Sequence, residues 1–513
     1  MLNGRMFVRK KRNQSGAVSV QVIDKTKSYH VVKTVGCSKD PEEIERFYQQ
    51  GKAWLKQQDK QLPFFPSEQI EQGIVAAFVS ELRSSDVRTV GPELIFGTLF
   101  DRIGFGRVAD ELFRHIVIAR LAYPTSKLKT VDYLRRYRGI ETDPDSIYRS
   151  LDKLHSRYKE DIEDIAYAHT KRLLGPTISI VFYDMTTLYF EAEDEDDLRK
   201  VGFSKDGKFQ HPQIMLGLLV GKGGYPISYD IFEGNTFEGH TLLPVLTKIE
   251  RRYGFKDITV VADAAMLSKE NLEALDEAKY RFVIGGRIKN ESSELQAQIL
   301  QHVPAMIGGA HLELKREDGT RLIVTYSEKR AKKDAYNRDK GLAKLKKRIR
   351  FGRLTKEHLN RRGYNKFLKL DGKIEVSIDG GKIAADAKWD GLKGYITNTD
   401  LSPEVIVENY RELWQIEMAF RISKTDLRIR PIYHYRRRRI EAHICIAFAA
   451  YTIFKELERL LAQAGLKMSA KRAAELTHNM YSLHYLLPGD PLPKETLLGL
   501  DDEQKLLFNL LHT

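Results

Sequence analysis

Residues 177–184 read TISIVFYD and residues 257–263 read DITVVAD, so each run ends in an aspartate after apolar, β-branched and aromatic residues. Such runs are typical of buried strands. Asp184 is predicted on the same strand face as Phe182, at the strand end, where a polar group can leave the core. In open α/β sheets the crevice beyond the strand ends is the usual ligand site. Asp184 and Asp263 are therefore candidate functional residues at one edge of a sheet.

The segments around these two runs alternate between strand-like and helical patterns. QIMLGLLV and YPISYDIF (213–220 and 225–232) are predicted as a hairpin, and helical and strand-like patterns follow in turn as far as residue 286. Antiparallel strands followed by alternating helix and strand predict an α/β fold with a mixed sheet. From residue 287 to 393 short strands and a basic segment, Lys329–Arg353, replace this rhythm. This stretch predicts a β-rich insertion.

The composition indicates a polyanionic partner and a reducing compartment. The 513 residues carry a formal net charge of +14, which favours nucleic acid as the commonest polyanion for a protein of this size. Cys37 and Cys445 supply neither a disulfide framework nor a metal-finger spacing. The longest apolar run, residues 444–454, falls short of the roughly 20 residues that span a bilayer. We expect a cytoplasmic protein with no membrane partner.

A third carboxylate, Glu417, lies on a predicted helix that is otherwise rich in aromatic and apolar residues. Tyr410, Glu417 and Lys424 are each seven positions apart, about two turns, so they are expected on one stripe of a continuous helix. Arg421 is one turn beyond Glu417 and joins that face. The stripe thus offers a carboxylate for a metal ion and cations for phosphate oxygens.

Phosphodiester hydrolysis explains why three carboxylates would be needed. Two Mg²⁺ ions roughly 4 Å apart can clamp the attacking and leaving oxygens, and Mg²⁺ takes few, hard oxygen ligands from protein. Taken singly, each carboxylate also has a structural interpretation. Asp184 could be a turn residue, Asp263 could cap the helix near Ser268, and Glu417 could pair with Arg421 on the surface. Their order and their flanking motifs favour the catalytic interpretation.

The chain resembles the DDE-type bacterial insertion-sequence transposases with an RNase H-like core, in the group with a YREK signature on the glutamate helix. The motifs that carry this resemblance are FYDMTTLYFEAED (182–194), the stretch 202–236, VVADAAMLSKENL (260–272) and LRIRPIYHYRRRRIEAHI (427–444). Tyr410, Glu417 and Lys424 match the signature, whereas Leu413 stands at its arginine position. Arg411 or Arg421 is the candidate to replace that arginine. The resemblance covers about residues 177–454.

The resemblance implies a function for each of these positions. Asp184, Asp263 and Glu417 would bind Mg²⁺, or Mn²⁺ in its place, and cut double-stranded DNA at the ends of the mobile element. The freed 3′-OH would then attack target DNA. Tyr410 and Lys424 would contact DNA near the cut, with Arg411 and Arg421 as further contacts. Because two ends must be processed together, a homodimer in a synaptic complex is expected.

The fold class implied is α/β, an RNase H-like mixed-sheet core with a β-rich insertion and flanking helices. The predicted regions are an N-terminal β-hairpin and helix (1–85), a helical DNA-end-binding region (86–175), the first part of the core (176–286), the basic insertion (287–393), the second part of the core with the glutamate helix (394–465) and a C-terminal tail (466–513). Within the second region, TDPDSIYRSLDKL fits either a recognition helix or a plain bundle helix.

Two other functions remain open from the sequence. One is a catalytically silent repressor descended from a transposase, although such a protein has no need of three intact carboxylates. The other is a metal-dependent nuclease without strand transfer. Further basic groups fit DNA in each case. Lys329–Arg353 and Arg436–Arg439 are predicted phosphate contacts, while His434 and His443 are predicted as structural residues or phosphate contacts.

Overall fold

The computed structural model describes residues 6–26, 28–61, 75, 78–175, 178–205, 207–255, 257–266, 268–307, 309–351, 363–371, 375–487 and 492–512. The chain forms two compact units. One comprises Met1–Asp86 and Tyr485–Lys494, and the other comprises Val87–His484 and Glu495–Thr513. No helix in the described ranges is both long and apolar enough to cross a membrane.

The first unit contains a three-stranded antiparallel sheet and one long helix. Its elements are β1 (Met6–Arg12), β2 (Val18–Asp24), β3 (His30–Ser38) and α1 (Pro41–Gln61). The predicted hairpin is confirmed as β2 and β3, and Asp40 caps α1 by accepting a 3.0 Å hydrogen bond from the Glu42 N–H. Strand β1 was not predicted, because its run of basic residues, RKKR, hides the apolar alternation that Phe7 and Val8 begin.

The second unit is built on an eight-stranded mixed sheet. Its order is β10 (Leu312–Lys315), β11 (Arg321–Tyr326), β14 (Leu392–Thr397), β9 (Arg281–Gly286), β8 (Thr259–Ala262), β5 (Ile180–Tyr189), β6 (Gln213–Gly221) and β7 (Pro226–Glu233). Strands β5, β8 and β9 are parallel to one another, and every other neighbouring pair is antiparallel. The predicted mixed-sheet core is therefore confirmed.

The region predicted as an insertion contributes to this sheet. Its first hairpin, β10–β11, pairs with the returning strand β14 and extends the core. The rest forms helices and a small hairpin: α9 (Ser293–Gln301), α10 (Val303–Ile307), α11 (Glu328–Arg350), β12 (Leu368–Asp371), β13 (Glu375–Ile378) and α12 (Gly380–Ala387). Most of the basic segment 329–353 is helix α11, and residues 352 and 353 lie outside the described residues. The insertion is thus more helical than predicted.

Helices cover both faces of the sheet. On one face lie α7 (Leu242–Tyr253) and α8 (Lys269–Glu277), and on the other α13 (Pro403–Arg411), α14 (Trp414–Arg421) and α15 (Arg437–Gln463). The helices that precede the sheet are α2 (Thr98–Ile103), α3 (Glu111–Ala122), α4 (Lys127–Tyr133), α5 (Pro144–Lys153) and α6 (Lys159–Leu174). Because α15 is buried over most of its length, it joins these helices to the core.

Helix α5 contains the stretch that fits either a recognition helix or a bundle helix. Its Ile147 and Leu151 are fully buried and the helix packs against α15. This packing favours the bundle interpretation. The remaining elements of the unit are β4 (Val87–Thr89), β15 (Tyr481–Tyr485) and β16 (Lys494–Leu497), which form a small sheet, and the helices α16 (Ala470–Thr477) and α17 (Asp502–His512).

Candidate active site

The register of two parallel strands brings Asp184 and Asp263 together. Strands β5 and β8 pair from Ile180↔Thr259 to Tyr183↔Ala262, so Asp184 and Asp263 occupy the next position on neighbouring chains. Neighbouring strands lie about 4.8 Å apart. Each aspartate is two residues beyond a core side chain that packs towards α13–α15, namely Phe182 and Val261, so alternation points both carboxylates to that face.

The position of Asp184 differs from the prediction in one respect. Strand β5 does not end at Asp184 but continues to Tyr189, with Asp184 paired to Leu218 of β6. The carboxylate is freed from the core on one side only, because the neighbouring strand β8 stops at Ala262. The end of a neighbouring strand, which local sequence does not reveal, creates the opening.

Asp263 does not cap the following helix. Its Oδ1 accepts a 2.6 Å hydrogen bond from the Ala265 N–H, just beyond the strand. Helix α8 is capped by Ser268, whose Oγ accepts from the Asn271 N–H at 3.2 Å. Asp263 therefore does not cap α8, and its hydrogen bond is made to the short 3-10 turn Ala264–Met266 that directly follows it.

Asp184 is largely buried and short of positive charge. Its side chain is 17% exposed, and its Oδ1 accepts a 2.7 Å hydrogen bond from the Met185 N–H. Burial raises the pKa of Asp184 to about 6; Lys205 opposes this rise, and the charges of Asp263 and Glu238 add to it. The carboxylate pair is therefore an electrostatically unfavourable arrangement that a cation would relieve.

Two further residues complete this acidic cluster, and the sequence analysis missed both. Lys205 Nζ lies 3.8 Å from Asp184 Oδ1 and 2.8 Å from Glu238 Oε1. Glu238 follows β7, which runs parallel to β5 because each is antiparallel to β6. The rule that selected Asp184 and Asp263, polar residues near the carboxyl ends of parallel strands, would have found Glu238 if applied to β7.

Tyr410 anchors α13 against the same sheet edge. It is only 8% exposed, and a Cβ atom at Gly285 of β9 would overlap its hydroxyl group. Lys393 Nζ lies 4.2 Å from the centre of the Tyr410 ring. Burial raises the pKa of Tyr410, and the charge of Asp263 raises it further. Tyr410 thus packs beside the aspartates, with glycine required at position 285.

Glu417 is exposed on α14, the helix that lies against β5 and β6. Burial lowers the pKa of Lys393 to about 8 and Arg330 lowers it too, whereas Glu417 is the carboxylate that opposes this shift. Glu417 thus raises the pKa of Lys393, and the two aspartates raise the pKa of Tyr410, whose ring lies next to Lys393. Among the described residues, no three His, Cys, Asp or Glu side chains are close enough to hold one metal ion together.

The expectation of one continuous stripe through Tyr410, Glu417 and Lys424 is wrong. Helix α13 ends at Arg411 and α14 begins at Trp414, and the π-helical turn Ile422–Asp426 contains Lys424. The break and the wider turn each rotate the later residues about the axis. Tyr410 is consequently buried while Glu417, Arg411 and Arg421 are exposed, and Lys424 is half-buried.

A cavity of about 590 Å³ extends from Asp263 and Tyr410 to the insertion. Its basic lining residues are Arg287, Lys289, Arg330, Arg338, Lys366 and Lys393. Arg338 of α11 makes two hydrogen bonds of 2.6 and 2.7 Å to Asp390, and Lys289 and Lys366 each donate to Asp386 at 2.7 Å. The insertion therefore places a wall of cations, some already paired, beside the aspartates.

Comparison with known proteins identifies the class. Residues 175–453 match the family described as "Transposase DDE domain". The chain belongs to this family of enzymes, which cleave and rejoin DNA with divalent metal ions, and its function is DNA transposition. The predicted resemblance is confirmed.

Two solved structures that are similar to this chain are complexes of transposases. A piggyBac transposase synaptic complex with hairpin DNA is 10% identical, with 75% of this chain and 76% of that chain covered and a TM-score of 0.38. A Mos1 transposase paired-end complex with the left transposon end is 11% identical, covering 31% of this chain and 53% of that one, with a TM-score of 0.16. No curated protein gives a significant match.

Proposed function

We propose that Asp184, Asp263 and Glu417 bind divalent metal, Mg²⁺ or Mn²⁺, and that the protein cuts DNA at the ends of its mobile element. The observation that carries the assignment is the in-register pair Asp184 and Asp263, which face one helix layer with little compensating charge. Oxygen ligands of this kind fit Mg²⁺. When bound, the metal would supply charge stabilisation to the attacking and leaving oxygens of the phosphodiester.

The protein's own groups have distinct roles in this proposal. Asp184 is held by the Met185 N–H and Asp263 by the Ala265 N–H, so the two carboxylates are oriented before any ligand arrives. Lys205 supplies the positive charge next to Asp184 and is also held by Glu238. This arrangement keeps two like charges adjacent at a tolerable electrostatic cost.

Glu417 must approach the aspartates to share a metal with them. Its side chain is exposed and free to change rotamer, and the helix is interrupted between Arg411 and Trp414. We propose that α14 and Glu417 adjust about this interruption when DNA and metal bind. Binding of that kind shifts a population towards the closed arrangement.

DNA would lie across the exposed face of α14 and the insertion. Arg411 and Arg421 are exposed there, Lys424 follows in the π-helical turn, and Tyr410 presents its hydroxyl edge to the cavity. Arg330 and Lys393 face that cavity from the insertion side. Cations of this kind fix the backbone without reading sequence.

Strand transfer by the freed 3′-OH and a synaptic homodimer complete the proposal, because two element ends must be cut and joined together. The test incubates purified protein with DNA carrying the repeats that flank its coding sequence, in Mg²⁺, with products resolved on a denaturing gel. Nicking at the repeat ends followed by joining to plasmid DNA supports the proposal. Nicking without joining would indicate a nuclease, and binding without nicking a repressor.

A further inference from the structure

A second cavity, of about 610 Å³, lies between helices α3–α4 and the segment 428–434 that leads into α15. It is lined by Arg120, Lys127, Arg428, Arg430, His434 and His443 among others, and none of the described residues that line it is acidic. Among the described residues, the cavity is therefore a concentration of positive and titratable groups without a carboxylate.

Two of these cations are buried. Arg120 is 6% and Lys127 5% exposed. Arg120 Nη1 donates to the carbonyl oxygens of Leu427 and Arg428 at 3.3 and 3.4 Å, which are neutral partners. Lys127 makes no hydrogen bond or ion pair with any residue in the described part of the chain. The Lys127 side chain is buried, but its ammonium group is not among the fully buried polar atoms and reaches the cavity. Lysines that are buried to this extent are normally paired with an anion.

The surrounding electrostatics agree with this picture. Burial, followed by repulsion from Arg120, holds the pKa of Lys127 well below its usual value, and burial lowers the pKa of Arg120 to about 10. Burial also lowers the pKa of His434 to about 3 and that of His443, and the charges of Lys127 and Arg120 lower both further. Burial is the largest contribution to each of these four pKa shifts, and the further contributions to the pKa shifts of Lys127 and His434 come from neighbouring cations.

Polar atoms in the cavity region also lack partners. Thr125 Oγ1 and His443 Nδ1 are buried and form no hydrogen bond with a described residue. His443 Nε2 lies 3.0 Å from the carbonyl oxygen of Ile429, which holds the ring in place. Buried polar atoms are normally paired, so these two atoms indicate that something else occupies the space beside them.

We propose that this cavity binds a phosphate group of DNA, with Lys127 and Arg120 as the cations and Thr125 Oγ1 as a hydroxyl donor. A phosphate presents several oxygens that accept from ammonium, guanidinium and hydroxyl groups at once. The proposal rests on the proposed function in that DNA is the ligand. The cavity fits a phosphate of the DNA backbone, and an exposed aromatic ring lies beside it.

The location favours DNA over free phosphate. The Ile432 N–H, in the segment that walls the cavity, donates a 3.2 Å hydrogen bond to the Tyr189 carbonyl oxygen at the end of β5. Asp184 is five residues earlier in that strand, roughly 16 Å away, which corresponds to about five base steps. At the mouth, Tyr433 is 62% exposed and Arg428 is exposed, so a base and the backbone could both be held there.

The test compares Lys127→Met with Lys467→Met, which removes the same charge from an exposed position. Thermal melting is measured in chloride and in inorganic phosphate at matched ionic strength. Affinity for duplex DNA is measured in EDTA, so that cutting cannot enter. We expect Lys127→Met to melt higher than the parent in chloride, because it removes a buried unpaired charge, and to lose the stabilisation by phosphate. Its DNA affinity should fall about 10-fold or more, as for a lost charged hydrogen bond, and further than that of Lys467→Met.

Each other result would overturn the proposal in a defined way. If phosphate stabilised the parent but the two variants bound DNA equally, the site would take free phosphate and not DNA. If Lys127→Met melted lower than the parent and phosphate had no effect on either, Lys127 would be structural. Because binding is measured without metal, these outcomes are independent of whether the carboxylates cut DNA.

Discussion

The carboxylate cluster and the basic cavity both bury charged groups of the same sign close to one another. At Asp184 and Asp263 the strand register forces two anions together, and Lys205 partly relieves them. Arg120 and Lys127 are both buried, and Arg120 has only carbonyl oxygens as hydrogen-bond partners. The first region has one cation, Lys205, for its carboxylates, and no carboxylate is among the described residues that line the second. Under the two proposals, metal ions would supply positive charge to the first region and a DNA phosphate would supply negative charge to the second.

The largest effect is expected on the acidic side of this comparison. Asp184→Asn or Asp263→Asn should lower the rate of Mg²⁺-dependent nicking by about a thousand-fold or more, because each removes a charged oxygen ligand. DNA affinity in EDTA should be unchanged. Asp230→Asn, on strand β7 of the same sheet, is the matched control and should cut normally. If Asp184→Asn nicked DNA at the parental rate, the assignment of Asp184 as a metal ligand would be wrong.

The stability of Asp184→Asn without metal is expected to depend on pH differently from that of the parent. Because the pKa of Asp184 rises from 3.8 to about 6 on folding, the folded state binds the proton more tightly, and the parent loses stability as the pH rises through this window. At pH 7 the loss is about 3 kcal/mol. Asp184→Asn should therefore unfold at higher denaturant concentration at pH 7, but not at pH 3.5. Adding Mg²⁺ should stabilise the parent more than the variant.

In the basic cavity, titration of His434 should lower the stability of the protein as the pH falls, the opposite of the effect at Asp184. The pKa of His434 falls from 6.5 to about 3 on folding, so the unfolded state binds the proton more tightly and stability is lost as the pH falls below 6.5. Between pH 7 and pH 5 this group contributes a loss of about 2 kcal/mol. His434→Gln should lose less stability over that range in denaturant titrations. An identical loss in both proteins would show that His434 is not buried in its neutral form.

A smaller effect is expected where Tyr410 crosses β9. Gly285→Ala places a methyl group against the Tyr410 hydroxyl and should destabilise the protein by about 1–3 kcal/mol, the usual range for overpacking. Nicking should slow, because Tyr410 packs beside Asp263. Adding Tyr410→Phe, which removes the hydroxyl, should recover part of the loss. If the double variant were less stable than Gly285→Ala alone, the contact would be described wrongly.

Much of the fold could be predicted from the sequence because the patterns that indicate it are local. Apolar runs before Asp184 and Asp263 predicted two buried strands, and the runs 213–220 and 225–232 predicted an antiparallel hairpin; both are confirmed, and the structure adds that the first two strands are neighbours. Family membership, predicted from motifs around the same residues, is confirmed as well. These features depend on alternation and on short motifs, which a sequence displays directly.

What the sequence did not predict depends on contacts between distant segments. Lys205 and Glu238 join the aspartates only because β7 is parallel to β5 across a shared neighbour. The stripe through Glu417 and Lys424 was predicted from a uniform period of 3.6 residues. The break in the helix before Trp414 and the π-helical turn around Lys424 interrupt that period. The basic cavity combines α4 with a segment about 300 residues later. Of these features only Glu238 could have been found from the sequence, by applying to β7 the rule that selected the two aspartates; the others depend on contacts that spacing along the chain does not show.

The most direct test of the account concerns Glu417, which is exposed on α14 and must approach the paired aspartates to share a metal ion with them. Glu417→Gln alters a glutamate on α14, and Glu412→Gln alters the glutamate in the interruption just before that helix, where Glu412 Oε1 lies 3.9 Å from Lys222 Nζ. Both variants are incubated with end DNA and Mg²⁺, and nicked product is followed over time. We predict that Glu412→Gln cuts at the parental rate while Glu417→Gln cuts at least about a hundred-fold more slowly with unchanged DNA affinity. Parental nicking by Glu417→Gln would contradict the assignment of a three-carboxylate metal site.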